Sequence, residues 1–181
     1  MPNSEYRHRI AEGVRPSLGL ERPGLVWLHR RPVAVERRPG SRSVARLAGG
    51  RLLVDGPAAK APGAIDRWYR REARQRLLAA IAREAPRLGV RPARVSVRDP
   101  RTRWGSCSSR GTLSFSWRLL LVPEQTMEYV VVHELCHLRE LNHSPRFWAL
   151  LDEALPGWQT DAVWLRDHAR EVGSYRPRLS A

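Results

Sequence analysis

Residues 129–138 read Tyr-Val-Val-Val-His-Glu-Leu-Cys-His-Leu, which sets two histidines and a glutamate inside an otherwise apolar run. Burying those three polar groups without partners would be costly, so whatever fold forms must supply them with something to bind. The segment from Glu124 to Leu141 has the length and the acidic first turn of a buried helix. At 100° per residue His137 then lies about 40° round from His133, one turn further on, and both imidazoles face the same way. That spacing lets two neutral nitrogens reach one tetrahedral Zn²⁺ at about 2.0–2.1 Å, with Glu134 beside them as general base.

A catalytic zinc needs a third protein ligand and a position left open for water. His143 is the first choice, because it lies just past the helix end, where Asn142 can take a turn conformation and bring the chain back. The competitors are Asp152 and Glu153 on the following helix. Glu140 shares the His133 face but stands two turns away, as a surface charge would. Cys107 is set aside as a ligand once three histidines are present, and Cys136 reads as a packing residue on the motif helix. His8, His29 and His168 have no motif around them.

Around this helix the chain of 181 residues reads as one domain, large enough to bury a core without a disulfide framework. Residues 1–24 are polar and punctuated by Pro16, Gly19, Pro23 and Gly24, and read as a flexible arm. The domain proper spans 25–173 and is followed by a tail, 174–181. Its first part, 25–62, holds short alternating runs separated by turn signals, which predicts a meander of antiparallel strands. The second part, 63–173, opens with apolar residues at spacings of three and four from Ala64 to Leu88, a long amphipathic helix stopped by Gly89. A strand follows around Val95–Val97, then the loop Arg101–Gly111. Leu113, Phe115 and Trp117 next alternate with Thr112, Ser114 and Ser116, as a half-buried strand should. Beyond the motif helix, Ser144 and Pro145 cap and start another helix. A last one runs from about Gln159 to Val172.

Charge says less. Lysine and arginine total 32 against 18 acidic residues, a formal charge of +14, yet Lys60 is the only lysine and the arginines are spread from Arg7 to Arg178. A nucleic-acid surface more often clusters its cations with interleaved aromatics. No run of 18 uncharged apolar residues and no secretory h-region is present, so the reading is a cytoplasmic protein with no membrane partner. Two cysteines agree with a reducing compartment.

The runs RWGSCSSRGTLSFSWRLLLVP and EYVVVHELCHLRELNHSPRFW resemble the YgjP-like metallopeptidase domain family, a small relative of SprT-like and minigluzincin zinc proteases. The resemblance covers most of the chain and is strongest from Arg103 to Trp148. It implies His133, His137 and His143 as zinc ligands, one ion per chain, and Glu134 as the catalytic carboxylate. It also implies an α+β, zincin-like fold: N-terminal antiparallel strands, a long helix, a short sheet with an edge strand, and the HExxH helix followed by two C-terminal helices. In such folds an edge strand pairs with an extended substrate, which assigns substrate binding to Leu113, Ser114, Phe115, Ser116 and Trp117, with Arg103 and Trp104 before them. The expected activity is zinc-dependent peptide hydrolysis of a peptide or protein substrate, by a zinc-bound water that Glu134 activates; Arg103 and Tyr129 are the candidates for a second oxyanion donor. One alternative is a metal-dependent nucleoside triphosphate pyrophosphohydrolase on the same site, motivated by Arg101, Arg103, Arg110 and Arg118. Another is a nucleic-acid-associated protease or binding module, motivated by the charge.

Overall fold

In the computed structural model, which describes residues 17–100 and 102–177, two small sheets and four helices share one core. The chain opens with β1 (Leu25–Leu28), β2 (Arg31–Arg38), β3 (Val44–Ala48) and β4 (Arg51–Asp55). Gly49 and Gly50, at φ +54° and +72°, make the tight turn between β3 and β4. The sheet order is β1-β2-β4-β3. The hairpins β1–β2 and β3–β4 are antiparallel as expected, but β2 and β4 run parallel, with Val35 beside Leu52, so the segment is not a simple meander. Alternation fixes which face a strand buries, not which strand lies beside it.

Helix α1 (Ala61–Arg87) starts one turn earlier than its apolar pattern suggests, with Pro at its first turn. It buries Ala64, Ile65, Trp68, Tyr69, Ala73, Leu77 and Ile81 against both sheets and ends at Gly89, φ +63°. Its outer arginines reach sideways to strand edges. Arg67 donates to the Ser43 carbonyl at 2.8 Å and Arg71 to that of Ala45 at 2.7 Å, along β3. Arg74 donates to the Val95 carbonyl at 3.0 Å.

The second sheet contains β5 (Arg94–Arg98), β6 (Gly105–Cys107) and β7 (Thr112–Ser116) in the order β5-β7-β6. This corrects the edge-strand expectation. β7 is the central strand, paired parallel to β5 and antiparallel to β6, and therefore has no edge to offer a substrate. Leu113, Phe115 and Ser116 are buried, and Trp117 leaves the strand to begin a 3₁₀ turn, Trp117–Leu120, capped by the Ser116 hydroxyl. The two edge strands of this sheet are β5 and β6.

Helix α2 (Glu124–Cys136) is shorter than the expected Glu124–Leu141, because tightened turns at Leu138 and Arg139 close it just after His137. Helix α3 (Pro145–Ala154) begins as read, with the Ser144 hydroxyl accepting from the Phe147 amide at 3.3 Å, and α4 spans Gln159–Ser174. The expected arm, 1–24, lies mostly outside the described residues. Its last part packs, with Leu18 and Leu20 in the core. Tyr175, in the expected tail, is buried with its hydroxyl 3.2 Å from that of Tyr69. Among the described residues no helix is long and apolar enough to cross a membrane. Both cysteines are free thiols.

Candidate metal centre

Helix α2 presents His133 and His137 one turn apart, and the loop after it returns His143 to the same point. The Nε2 atoms of His133 and His143 are 3.0 Å apart, and ligand atoms of all three histidines lie within 4.8 Å of one another. Donors held at 2.1 Å around a tetrahedral ion would be about 3.4 Å apart, so the cluster needs only small ring movements to close on one. The loop geometry comes from local chemistry: Asn142 Oδ1 accepts from the Ser144 amide at 3.1 Å, and Ser144 then caps α3. His137 is oriented by its Nδ1, 3.0 Å from the Glu140 carbonyl oxygen, which leaves Nε2 toward the cluster. Glu140 therefore contributes its backbone rather than its side chain. Asp152 instead accepts from the indole of Trp158, at 2.7 Å, and among the described residues no carboxylate joins the three imidazoles.

Burial, then the charges of His137 and His143, push the His133 imidazole down to about 3. His137 is lowered too, first by burial. Neutral imidazoles are what a cation requires. Glu134 is buried, and its Oε2 and the His133 Nδ1 are buried without a hydrogen-bond partner. Burial lifts the Glu134 carboxyl to about 7, against an opposing pull from the charge of Arg103.

Gly105 explains how β6 can lie so close. A Cβ there would sit 2.5 Å from Glu134 Oε1 and 2.6 Å from its Cγ, so only a glycine lets the strand pass beside this carboxyl. The pairing parity of β6 follows from two bonds, Ser116 N–H to the Trp104 carbonyl and Ser108 N–H to that of Thr112. Residues 104, 106 and 108 thus turn their main chain toward β7, and Gly105 and Cys107 turn theirs outward. Among the described residues those outward groups have no hydrogen-bond partner. Sequence reasoning read Arg101–Gly111 only as a loop, and so missed both β6 within it and this close approach; a glycine beside an alternating strand was the available signal.

Of the other expected site residues, Arg103 is exposed and near enough to bias Glu134, Trp104 and Ser114 are half-buried, and Arg110 is exposed. Arg101 lies outside the described residues. Arg118 is buried elsewhere, paired with Asp99 and stacked 4.6 Å over the Trp117 ring, beside a cavity of about 200 Å³. It does not flank the cluster. Tyr129, buried and pushed up to about 12 by burial first, meets the His133 ring at 5.8 Å. Cys107 is raised by burial and by the charge of Glu134, and lies outside the three-histidine cluster. Cys136 is fully buried, as a packing residue should be.

Sequence reasoning also missed the aromatic floor. The Phe147 ring touches all three histidines, at 4.9, 4.4 and 4.7 Å, and Trp148 stacks on His143 at 5.2 Å. Three converging imidazoles beside a buried carboxyl and an open strand edge make a centre of metallohydrolase type. Residues 15–168 match the YgjP-like metallopeptidase domain, and the chain belongs to that family. Membership makes it a peptidase-like hydrolase and implies a metal ion, for which the three histidines are the group at hand. No curated protein matches the chain. Among solved structures it is similar to the metallopeptidase zymogen abylysin of Pyrococcus abyssi, at 24% identity and a TM-score of 0.43, over 59% of this chain and 98% of that one.

Proposed function

We propose that the protein is a zinc-dependent metallopeptidase, its activity carried by residues 25–173, with His133, His137 and His143 as ligands of one ion and Glu134 as the catalytic carboxylate. The observation that carries this reading is the convergence of three imidazoles beside a buried carboxyl whose Oε2 has no partner. An all-imidazole donor set suits zinc, and three ligands leave a position open. A zinc ion held there would supply Lewis acidity, lowering the pKa of water and polarising the scissile carbonyl.

The remaining work falls to the chain itself. Gly105 and Cys107, with outward N–H and C=O groups on β6, would pair with an extended peptide as an added strand and fix its scissile bond over Glu134. Arg103 and Trp104, just before β6, border that edge. Glu134 takes a proton from the attacking water at Oε2 and returns it to the leaving amine, so one carboxyl serves as base and then acid. Burial lifts this carboxyl to about 7 in the metal-free chain, and a zinc ion held beside it would pull it back toward the ionised form that accepts the proton. We read the protein as cytoplasmic, a reading that its two unpaired cysteines, Cys107 and Cys136, support.

The decisive test pairs two variants. Glu134→Gln should bind zinc as the wild type does, measured by plasma mass spectrometry, and lose at least ~10²-fold in peptide hydrolysis. His143→Ala should bind zinc far more weakly, through the two histidines that remain. Undiminished turnover by Glu134→Gln, or a wild type that stays metal-free when zinc is offered, overturns the reading.

A further inference from the structure

The three histidines are not held alike. His133 and His137 are fixed by the helix, and His137 also by its bond to the Glu140 carbonyl. His143 stands on an exposed loop, and the Nδ1 of His133 has no partner. Metal-bound histidines are ordinarily oriented by a hydrogen bond at the second ring nitrogen. Here a run of stacked rings takes that place. Trp148 lies on His143 at 5.2 Å and 25°, Trp158 on Trp148 at 5.1 Å and 14°, and Tyr129 on Trp158 at 5.8 Å and 8°. Tyr129 then meets the edge of His133 at 5.8 Å, and His133 returns to His143 at 5.0 Å. The rings form a closed circuit through two of the three ligands.

The circuit is anchored from outside the motif. Trp158, the residue before α4, touches no histidine, yet its Nε1–H donates to Asp152 on α3 at 2.7 Å, which ties the start of α4 to α3. Tyr129 belongs to α2 itself. A stack clamped at both ends restricts the tilt of Trp148, and Trp148 in turn restricts the plane of His143. Offset-stacked aromatic pairs contribute beyond their buried area and have definite geometry, so they can replace the orienting hydrogen bond.

We infer that Trp148 and Trp158 are positioning residues of the metal centre: the stack from Tyr129 through Trp158 to Trp148 holds the His143 imidazole in its ligating orientation. The inference rests on the zinc reading above and adds to it a device that acts on ligand geometry without touching the ion.

The experiment measures zinc affinity by chelator competition, with the thermal midpoint of metal-free protein as the check on folding. Trp148→Ala should weaken zinc binding about 10-fold, the lower end for loss of a residue that orients a ligand. Trp148→Phe, which can still stack, should restore most of it. Trp158→Leu, remote from the ion, should lose several-fold and serves if Trp148→Ala fails to fold. The discriminating arm repeats Trp148→Ala and Trp158→Leu in a His143→Ala background, where neither should weaken binding further. Equal losses with and without His143, or full affinity in Trp148→Ala and Trp158→Leu, overturn the inference. A wild type that binds no zinc overturns the zinc reading instead, before any variant is compared.

Discussion

The outer edges of β3 and β6 are both rows of main-chain groups with no further strand beside them, and the molecule treats them in opposite ways. Along β3, Arg67 and Arg71 reach over from α1 and donate to the carbonyls of Ser43 and Ala45, and Arg74 does the same for Val95 on β5. At β6 the groups of Gly105 and Cys107 stay open, beside Glu134. An open edge invites any extended chain, so proteins blunt edges they do not use. The contrast is what supports the proposal that a substrate strand docks on β6. It also gives Arg67, Arg71 and Arg74 a local task, which removes three cations from the argument that runs from net charge to nucleic acid.

The comparison breaks most decisively at Gly105. Gly105→Ala should keep the fold and the metal but lose at least ~10²-fold in hydrolysis, since the new Cβ displaces the Glu134 carboxyl; a variant of wild-type turnover would show that the close approach is incidental.

Acid separates the two regions next, because arginines do not titrate in the accessible range and the site does. In metal-free protein the lowered His133 removes stability as pH falls from 6.5 toward 3, since the unfolded chain takes up a proton that the folded one refuses. The raised Glu134 works the other way: its contribution is full below 4.5 and is lost as pH rises through about 7. Between pH 6.5 and 4.5 each amounts to about 2 kcal/mol, with opposite signs. Metal-free wild type should therefore change little from these two groups, whereas Glu134→Gln should lose about 2 kcal/mol more than wild type over that range in urea titrations. Parallel curves would mean that Glu134 is not held protonated there.

A smaller effect tests the open edge from the substrate side. Methylating either peptide amide that donates to the Gly105 or Cys107 carbonyl should lower kcat/KM about tenfold, the scale of one hydrogen bond. No sensitivity to N-methylation at any position would remove β6 as the docking edge. The smallest lies on β3: Arg67→Ala with Arg71→Ala should cost at most about 1 kcal/mol and leave hydrolysis unchanged, while light scattering shows increased self-association.

The parts of this structure legible in the sequence are those fixed by neighbours along the chain. The spacing of His133 and His137, the return of His143 through Asn142 and the Ser144 cap, and the apolar stripe of α1 all follow from local rules. What escaped depends on remote partners. The alternation of Leu113 and Phe115 says that a strand is half-buried, and nothing in it says that β5 and β6 lie on either side. The parallel pairing of β2 with β4 is hidden for the same reason. Arg118 looked like a cleft cation because Asp99, which holds it elsewhere, is nineteen positions away. The stack through Trp158 joins three helices and leaves no periodic trace.

Gly105 and Glu134 are one constraint written at two positions. Because the Cγ of Glu134 already stands 2.6 Å from where a Cβ would be, shortening the acid to aspartate would not make room; only loss of the carboxyl-bearing branch would. A descendant chain that abandoned the carboxylate would be released at the strand as well, and drift would soon put a side chain there. Position 105 is therefore expected to keep glycine wherever position 134 keeps a carboxylate, and to be released from that demand wherever it does not.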